Sequence, residues 1–359
     1  MIQVKHSLIA ATLAAVCSSA GIANAADIKL SGFFNAVGNK HDAKDLRYAK
    51  SANDIWGFKS TALGIGLASH VDDNITLAAQ LFADDEGVTL DWAFGTYKFN
   101  DSSAIKFGKI KYAGNLYSET VEVGFVYPWV RPPESVYSES SGLFLEAYEG
   151  ASYKFTGGDD TEFAVEVYYG ATDEESDENL INNRDQMLGL VISAENEIGK
   201  VQLSYNNAMQ TSIDLSSGTP TPTPTPTPFD GKAVELLALG AEANFDNLQL
   251  IAEFAQDSHE DLPTQDRTGW FVTTAYTFGN WKPHLTFQDF SIDDKSVEQS
   301  SITAGLNRRV GNSAVLKFEI QQINDIIGNG LFEDTTFDAT ALQNGSDVLL
   351  YSIAFNLVF

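Results

Sequence analysis

Histidines and acidic runs are the residues of this chain best suited to reaction chemistry. His41 and His259 fall in polar connections, His70 lies at a turn and His284 follows Pro283. None stands in a Ser/His/acid pattern, so no catalytic residue is expected and the chain does not read as an enzyme. Asp173-Glu174-Glu175-Ser176-Asp177-Glu178 and Asp257-Ser258-His259-Glu260-Asp261 offer carboxylate oxygens to a hard cation. Neither has the spacing and glycine of a dedicated calcium loop, so both read as solvated acidic segments and no metal site or cofactor is expected. What remains is electrostatics. The stretch Ala113 to Leu145 sets Glu119, Glu122, Glu134 and Arg131 among Tyr117, Phe125, Tyr127, Trp129, Tyr137 and Phe144, without helical or strand periodicity. A connection this long has a job or is disordered, and its aromatics favour a packed loop. Pro128, Pro132 and Pro133 stiffen it by fixing φ.

The elements that must hold such a loop come next. Residues 1–25 read as an export signal, with Lys5 and His6 ahead of the apolar run Leu8 to Val16 and a small-residue cleavage site at Ala23-Asn24-Ala25. The remainder, 26–359, has no cysteine and no other long apolar run. The whole chain has 49 acidic against 22 basic residues and a formal charge of −27, which argues against nucleic acid as a partner.

Short runs of alternating apolar and polar residues fill the mature chain. In Asp27 to Gly38, Ile28, Leu30, Phe34 and Ala36 share one face, while Lys29, Ser31 and Asn35 share the other. Further strands are predicted over 54–70, 75–83, 88–99, 104–112, 146–155, 162–170, 186–194, 200–210, 233–245, 248–256, 268–278, 282–290, 297–309, 314–324 and 347–359. That makes sixteen, each long enough for a tilted membrane strand. Connections alternate between tight turns such as Val71-Asp72-Asp73-Asn74 and long polar loops such as 113–145 and 211–232, with Asp84 to Gly87 the one short member on the long side. Tyr97, Phe99, Tyr153, Phe155, Tyr276, Phe278 and Trp281 at strand ends would form aromatic girdles. The expected fold is all-β: a transmembrane antiparallel β-barrel of sixteen strands, with short periplasmic turns and long extracellular loops. A soluble β-sandwich shares the alternation but has no reason to sort its connections by length. Thr219 to Pro228 is a run of Thr-Pro pairs, unable to join a ladder for want of proline donors and expected as a stiff external spike.

Tyr351, Ile353, Phe355, Leu357 and Phe359 occupy every second position up to the last residue. Here the sequence resembles the Gram-negative outer-membrane general-diffusion porins, whose last strand ends in phenylalanine and is read by the barrel-insertion machinery. The resemblance implies an outer-membrane location, a homotrimer and passive diffusion of ions and small hydrophilic solutes. It makes 113–145 the third loop, folded into the lumen with acids facing a basic wall. Glu119, Glu122 and Glu134 then become constriction acids, and Gly108-Lys109 matches the glycine and basic residue that point at the constriction. Arg131 adds a cation on the acidic side, with Lys29 and Lys59 on the opposite wall. Strict alternation from Ile105 and Phe107 would turn Lys109 to lipid, so its inward placement requires a bulge. Calcium or magnesium could bridge the acidic loops to lipopolysaccharide. The acidic excess suggests a mild cation preference; a substrate-selective channel and a non-conducting barrel serving as adhesin or enzyme are the alternatives.

Overall fold

The computed structural model describes residues 28–43, 46–48, 56–172, 175–177, 180–214, 225–328, 330–334 and 345–359. The proposed export signal and most of the Thr-Pro run lie outside them. Sixteen long strands form one antiparallel sheet: β1 Ile28–His41, β2 Ala62–His70, β3 Ile75–Ala83, β4 Val88–Asn100, β5 Ser103–Lys111, β6 Ala147–Gly157, β7 Glu162–Ala171 and β8 Leu180–Asn196. The second half supplies β9 Gly199–Asp214, β10 Lys232–Phe245, β11 Leu248–His259, β12 Arg267–Tyr276, β13 Trp281–Ile292, β14 Glu298–Val310, β15 Ala314–Ile327 and β16 Ser346–Val358.

Each strand pairs with its sequence neighbour, and β1 closes the ring by pairing with β16 from Phe33 opposite Val358 to His41 opposite Leu350. Phe359 seals the seam, because its amide donates to the Gly32 carbonyl (3.0 Å) and its carbonyl accepts from the Gly32 amide (2.9 Å). Closure leaves no sheet edge, which is the condition for strands to cross lipid. Among the described residues no helix is long and apolar enough to cross a membrane.

Alternation along the strands sorts the two faces. Phe163 is 57% exposed, Leu188 55% and Leu239 50%, all on the outer wall. An apolar belt of that extent belongs in lipid. The girdle aromatics stand on this outer face at the short-turn end, where Phe99 lies 5.1 Å from Tyr97 and 6.3 Å from Tyr153. In β16 Tyr351 is exposed, as is Phe359 just after it, while Ser352, Ala354 and Asn356 are buried inside.

Several boundaries differ from the sequence reading. β2 begins only at Ala62, because the chain first bridges Asn39 to Gly57 and then turns, the Thr61 amide donating to the Phe58 carbonyl. β8 and β9 run beyond the expected ends as a paired extension, with Leu180 opposite Asp214 and an irregularity between Asp185 and Leu188. The residues gained are mostly polar on both sides, so alternation does not mark them. Thr225–Pro226 does join the ladder, against Ile213 and Asp214, because the Thr227 amide supplies a donor to Ser212 that proline lacks. A second short connection, 293–297, joins Asp84–Gly87 on the long-loop side.

Candidate functional site

The loop between β5 and β6 folds into the barrel interior. Its polar groups have no ladder to join, so the wall must satisfy them. After Lys111 the chain makes one 3-10 turn, Ser118–Thr120, then a run of turns and bends through Tyr127-Pro128-Trp129-Val130-Arg131-Pro132-Pro133, a short helix Glu134–Tyr137 and a second 3-10 turn Glu139–Ser141. Gly142 closes that turn at φ 67°, a left-handed geometry suited to glycine. Tyr117, Tyr127, Trp129 and Phe271 of β12 form one aromatic cluster, with Trp129 centroids 5.4 Å from Tyr117 and 5.4 Å from Phe271.

Wall side chains then answer the loop one by one. The Trp129 indole donates to Thr273 (3.0 Å) and Thr286 (2.9 Å), and Asn307 donates to the Pro128 carbonyl (2.7 Å). The ammonium of Lys317 reaches the carbonyls of Gly124, Tyr127 and Trp129, while Glu319 accepts the Val130 amide (2.6 Å). Glu253 takes the Leu116 amide (3.1 Å) and the Tyr137 hydroxyl, and Glu242 takes the Tyr117 hydroxyl (2.6 Å). Asn35 of β1, two strands beyond β15 around the wall, donates to the Glu122 carbonyl (2.6 Å). Contact is so close that a Cβ on Gly269 would lie 1.9 Å from the Ser135 carbonyl oxygen.

At the root of the loop, β4 and β5 are last paired at Ala93 opposite Lys109. Two lysines fill the seam beyond. Lys111 meets Asp91 (3.3 Å) and Glu122, and Lys109 donates to the Leu90 carbonyl (3.0 Å). The two ladders of β5 show no register shift at Lys109, where Glu149 stands directly opposite; the irregularity lies on β4, whose pairing with β3 skips Asp91, the residue that Lys111 meets. Lys111, two residues on, is therefore the cation that Glu122 meets. Burial pushes the Glu122 carboxyl up to about 7, with Lys111 pulling the other way. Burial likewise raises the Tyr117, Tyr127 and Tyr137 hydroxyls, which stay protonated as donors.

The other expected charges take different places. Glu119 is exposed on its 3-10 turn. Arg131 and Glu134 pair with each other (3.2 Å), Arg131 also donating to Asn39 (2.5 Å) and Glu134 accepting from Gln288 (3.0 Å) and Gln321 (3.3 Å). Lys29 is exposed six positions before Asn35, about 20 Å towards the short-turn end at about 3.3 Å per residue. Lys59 is exposed in the segment leading into β2. Among the described residues no basic wall faces the loop across the remaining space, a cavity of about 270 Å³ bordered by Asn35, Phe82, Asp84, Glu122, Arg131 and Asn356. The acidic run from Asp257 divides: Asp257 is buried against Arg184 (3.2 Å), while Glu260 and Asp261 are exposed as expected, Asp261 pairing with Lys232 (2.8 Å). Of the run from Asp173, residues 173, 174 and 178 lie outside the described residues.

A closed sixteen-stranded barrel with an apolar outer wall and a loop folded into its lumen defines a membrane channel of the outer-membrane type. A family model described as Gram-negative porin matches residues 10–325, and the chain belongs to that family. It is an outer-membrane channel. No curated protein matches the sequence. Among solved structures, the anion-selective porin from Comamonas acidovorans is similar at 11% identity and TM-score 0.64, covering 93% of this chain and 100% of that one. OmpT of Vibrio cholerae matches at 13% identity and TM-score 0.61, and OmpF of Salmonella typhi, in complex with daunomycin, at 13% and 0.61; each covers 94% of this chain and 99% of the other.

Sequence pattern located the loop but missed its receptors. Lys317, Glu319, Glu253, Thr273 and Thr286 lie on strands far along the chain. Their one sequence signal is being polar at inward positions.

Proposed function

We propose that this protein is a general-diffusion porin, passing ions and small hydrophilic solutes down their gradients through the gap between the third loop and the β1–β3 wall. The observation carrying this is the internally docked loop, which narrows the lumen while leaving a cavity bordered by polar and charged groups. Rate follows from width and field, with no chemical step. Asp84, Glu122 and Arg131 border that gap, with Glu122 paired to Lys111 and Arg131 to Glu134, so a mild preference for cations is supported by the excess of 49 acidic over 22 basic residues in the chain. Its working partners are two further copies of the chain, the barrel-insertion machinery acting on Tyr351 to Phe359, and lipopolysaccharide held through divalent cations at the acidic rim.

Planar bilayers test the reading directly. Stable single-channel steps and a reversal potential of cation sign under a KCl gradient are expected. Absence of conductance from correctly folded barrels would refute the channel role, and a clear anion sign would refute the preference.

A further inference from the structure

We propose that Lys317 is the positioning residue of the constriction, its ammonium fixing the tip of the third loop at one width while taking no part in choosing ions. In the segment from Gly124 to Trp129, Gly124, Tyr127, Pro128 and Trp129 are buried while Val126 is exposed; it has no regular hydrogen-bonding pattern and contains a proline, so its carbonyls have few backbone donors. Lysine offers three donors on one compact charge. Here those donors go to the carbonyls of Gly124, Tyr127 (2.8 Å) and Trp129, with the Tyr127 ring centroid 4.7 Å from the ammonium. Two residues on, on the same inward face of β15, Glu319 takes the Val130 amide, so adjacent inward positions read both edges of the turn.

The charge is shut away from the pore. Lys317 is 0% exposed, and Glu319, itself buried, also faces the His284 ring (3.4 Å). A cation enclosed by carbonyls and balanced by a buried carboxylate acts on loop geometry and contributes little to the field felt by ions in the gap. This separates it from Asp84 and Glu122, which border that gap.

The inference rests on the channel reading only in its electrical arm. The predicted mature chain has no cysteine, so Val130→Cys gives a unique reporter at a site 3% exposed beside Val37 and Ala354. In folded barrels this thiol should react slowly with a water-soluble maleimide, and about tenfold or more faster once Lys317→Met is added. In bilayers the same change should raise open-channel noise and lower the voltage at which channels close, while the cation-to-anion permeability ratio moves less than about twofold. Lys317→Gln, which keeps amide donors, should fall between. Unchanged labelling and noise would overturn the proposal, as would a large shift in permeability ratio. Failure of both variants to give heat-modifiable barrels would also overturn it, by assigning Lys317 to barrel assembly. If the unaltered protein does not conduct, the channel role fails while the labelling arm still decides this point.

Discussion

Replacing Trp129 is the sharpest test of how the loop is held. The side chain is 1% exposed, lies edge-on to Tyr117 and Phe271, and donates to two threonine hydroxyls on adjacent strands. Truncating a buried tryptophan to alanine costs about 3 to 5 kcal/mol. The barrel ladder does not depend on the indole, so the loss falls on docking of the loop and not on unfolding of the sheet. It lowers the docked-to-released ratio by roughly 10² to 10⁴. Trp129→Phe is the control. It keeps most of the ring, and the orphaned hydroxyls of Thr273 and Thr286 already lie 2.8 Å apart, each able to satisfy the other. Its cost should sit near the low end for a lost hydrogen bond, about 1 kcal/mol. Single-channel recording at low voltage should therefore show larger, noisier openings for Trp129→Ala and near-parental ones for Trp129→Phe. Alanine channels indistinguishable from the parent in size and noise would refute the assignment of this loop as the constriction.

Two further outcomes follow from the same geometry. Burial raises Glu122 towards about 7, so it takes up a proton as pH falls from 8 to 6 and the gap loses negative charge. The cation-to-anion permeability ratio should decline across that window, and Glu122→Gln should abolish the decline. By linkage the raised value favours the protonated, docked loop: its contribution is full below about 4.3, the ordinary glutamate value, and is lost as pH rises through about 7. Deleting Phe359 removes both backbone bonds to Gly32 and the exposed ring beside them. Refolding in detergent, scored as the fraction with heat-modifiable migration, should then drop several-fold.

Strands and loops were legible in the sequence because lipid on one side and water on the other impose a period of two, and closure imposes the order of pairing. The third loop was legible from its aromatics and prolines. Charge placement was not. At Lys109 the sequence motif required a bulge on β5, whereas the register shift falls across the seam at Asp91 of β4, and Lys111 is the lysine that meets Glu122. Whether a lysine fills a seam between strands or points into the lumen depends on where β4 and β5 part, and alternation carries no signal for that. Lys317 looked like any inward polar residue, since its partners lie about 190 positions earlier in the chain. Asp257 looked solvated for the same reason, with Arg184 far away in sequence.

The reach of those contacts orders events in time. The loop is made before almost every residue that receives it: Glu253, Thr273, Asn307, Lys317 and Glu319 all follow in the second half of the chain. Contacts of such long sequence separation form late. A barrel part-way through assembly therefore has a wall but no throat, and the width of the pore is set only when β15 is in place.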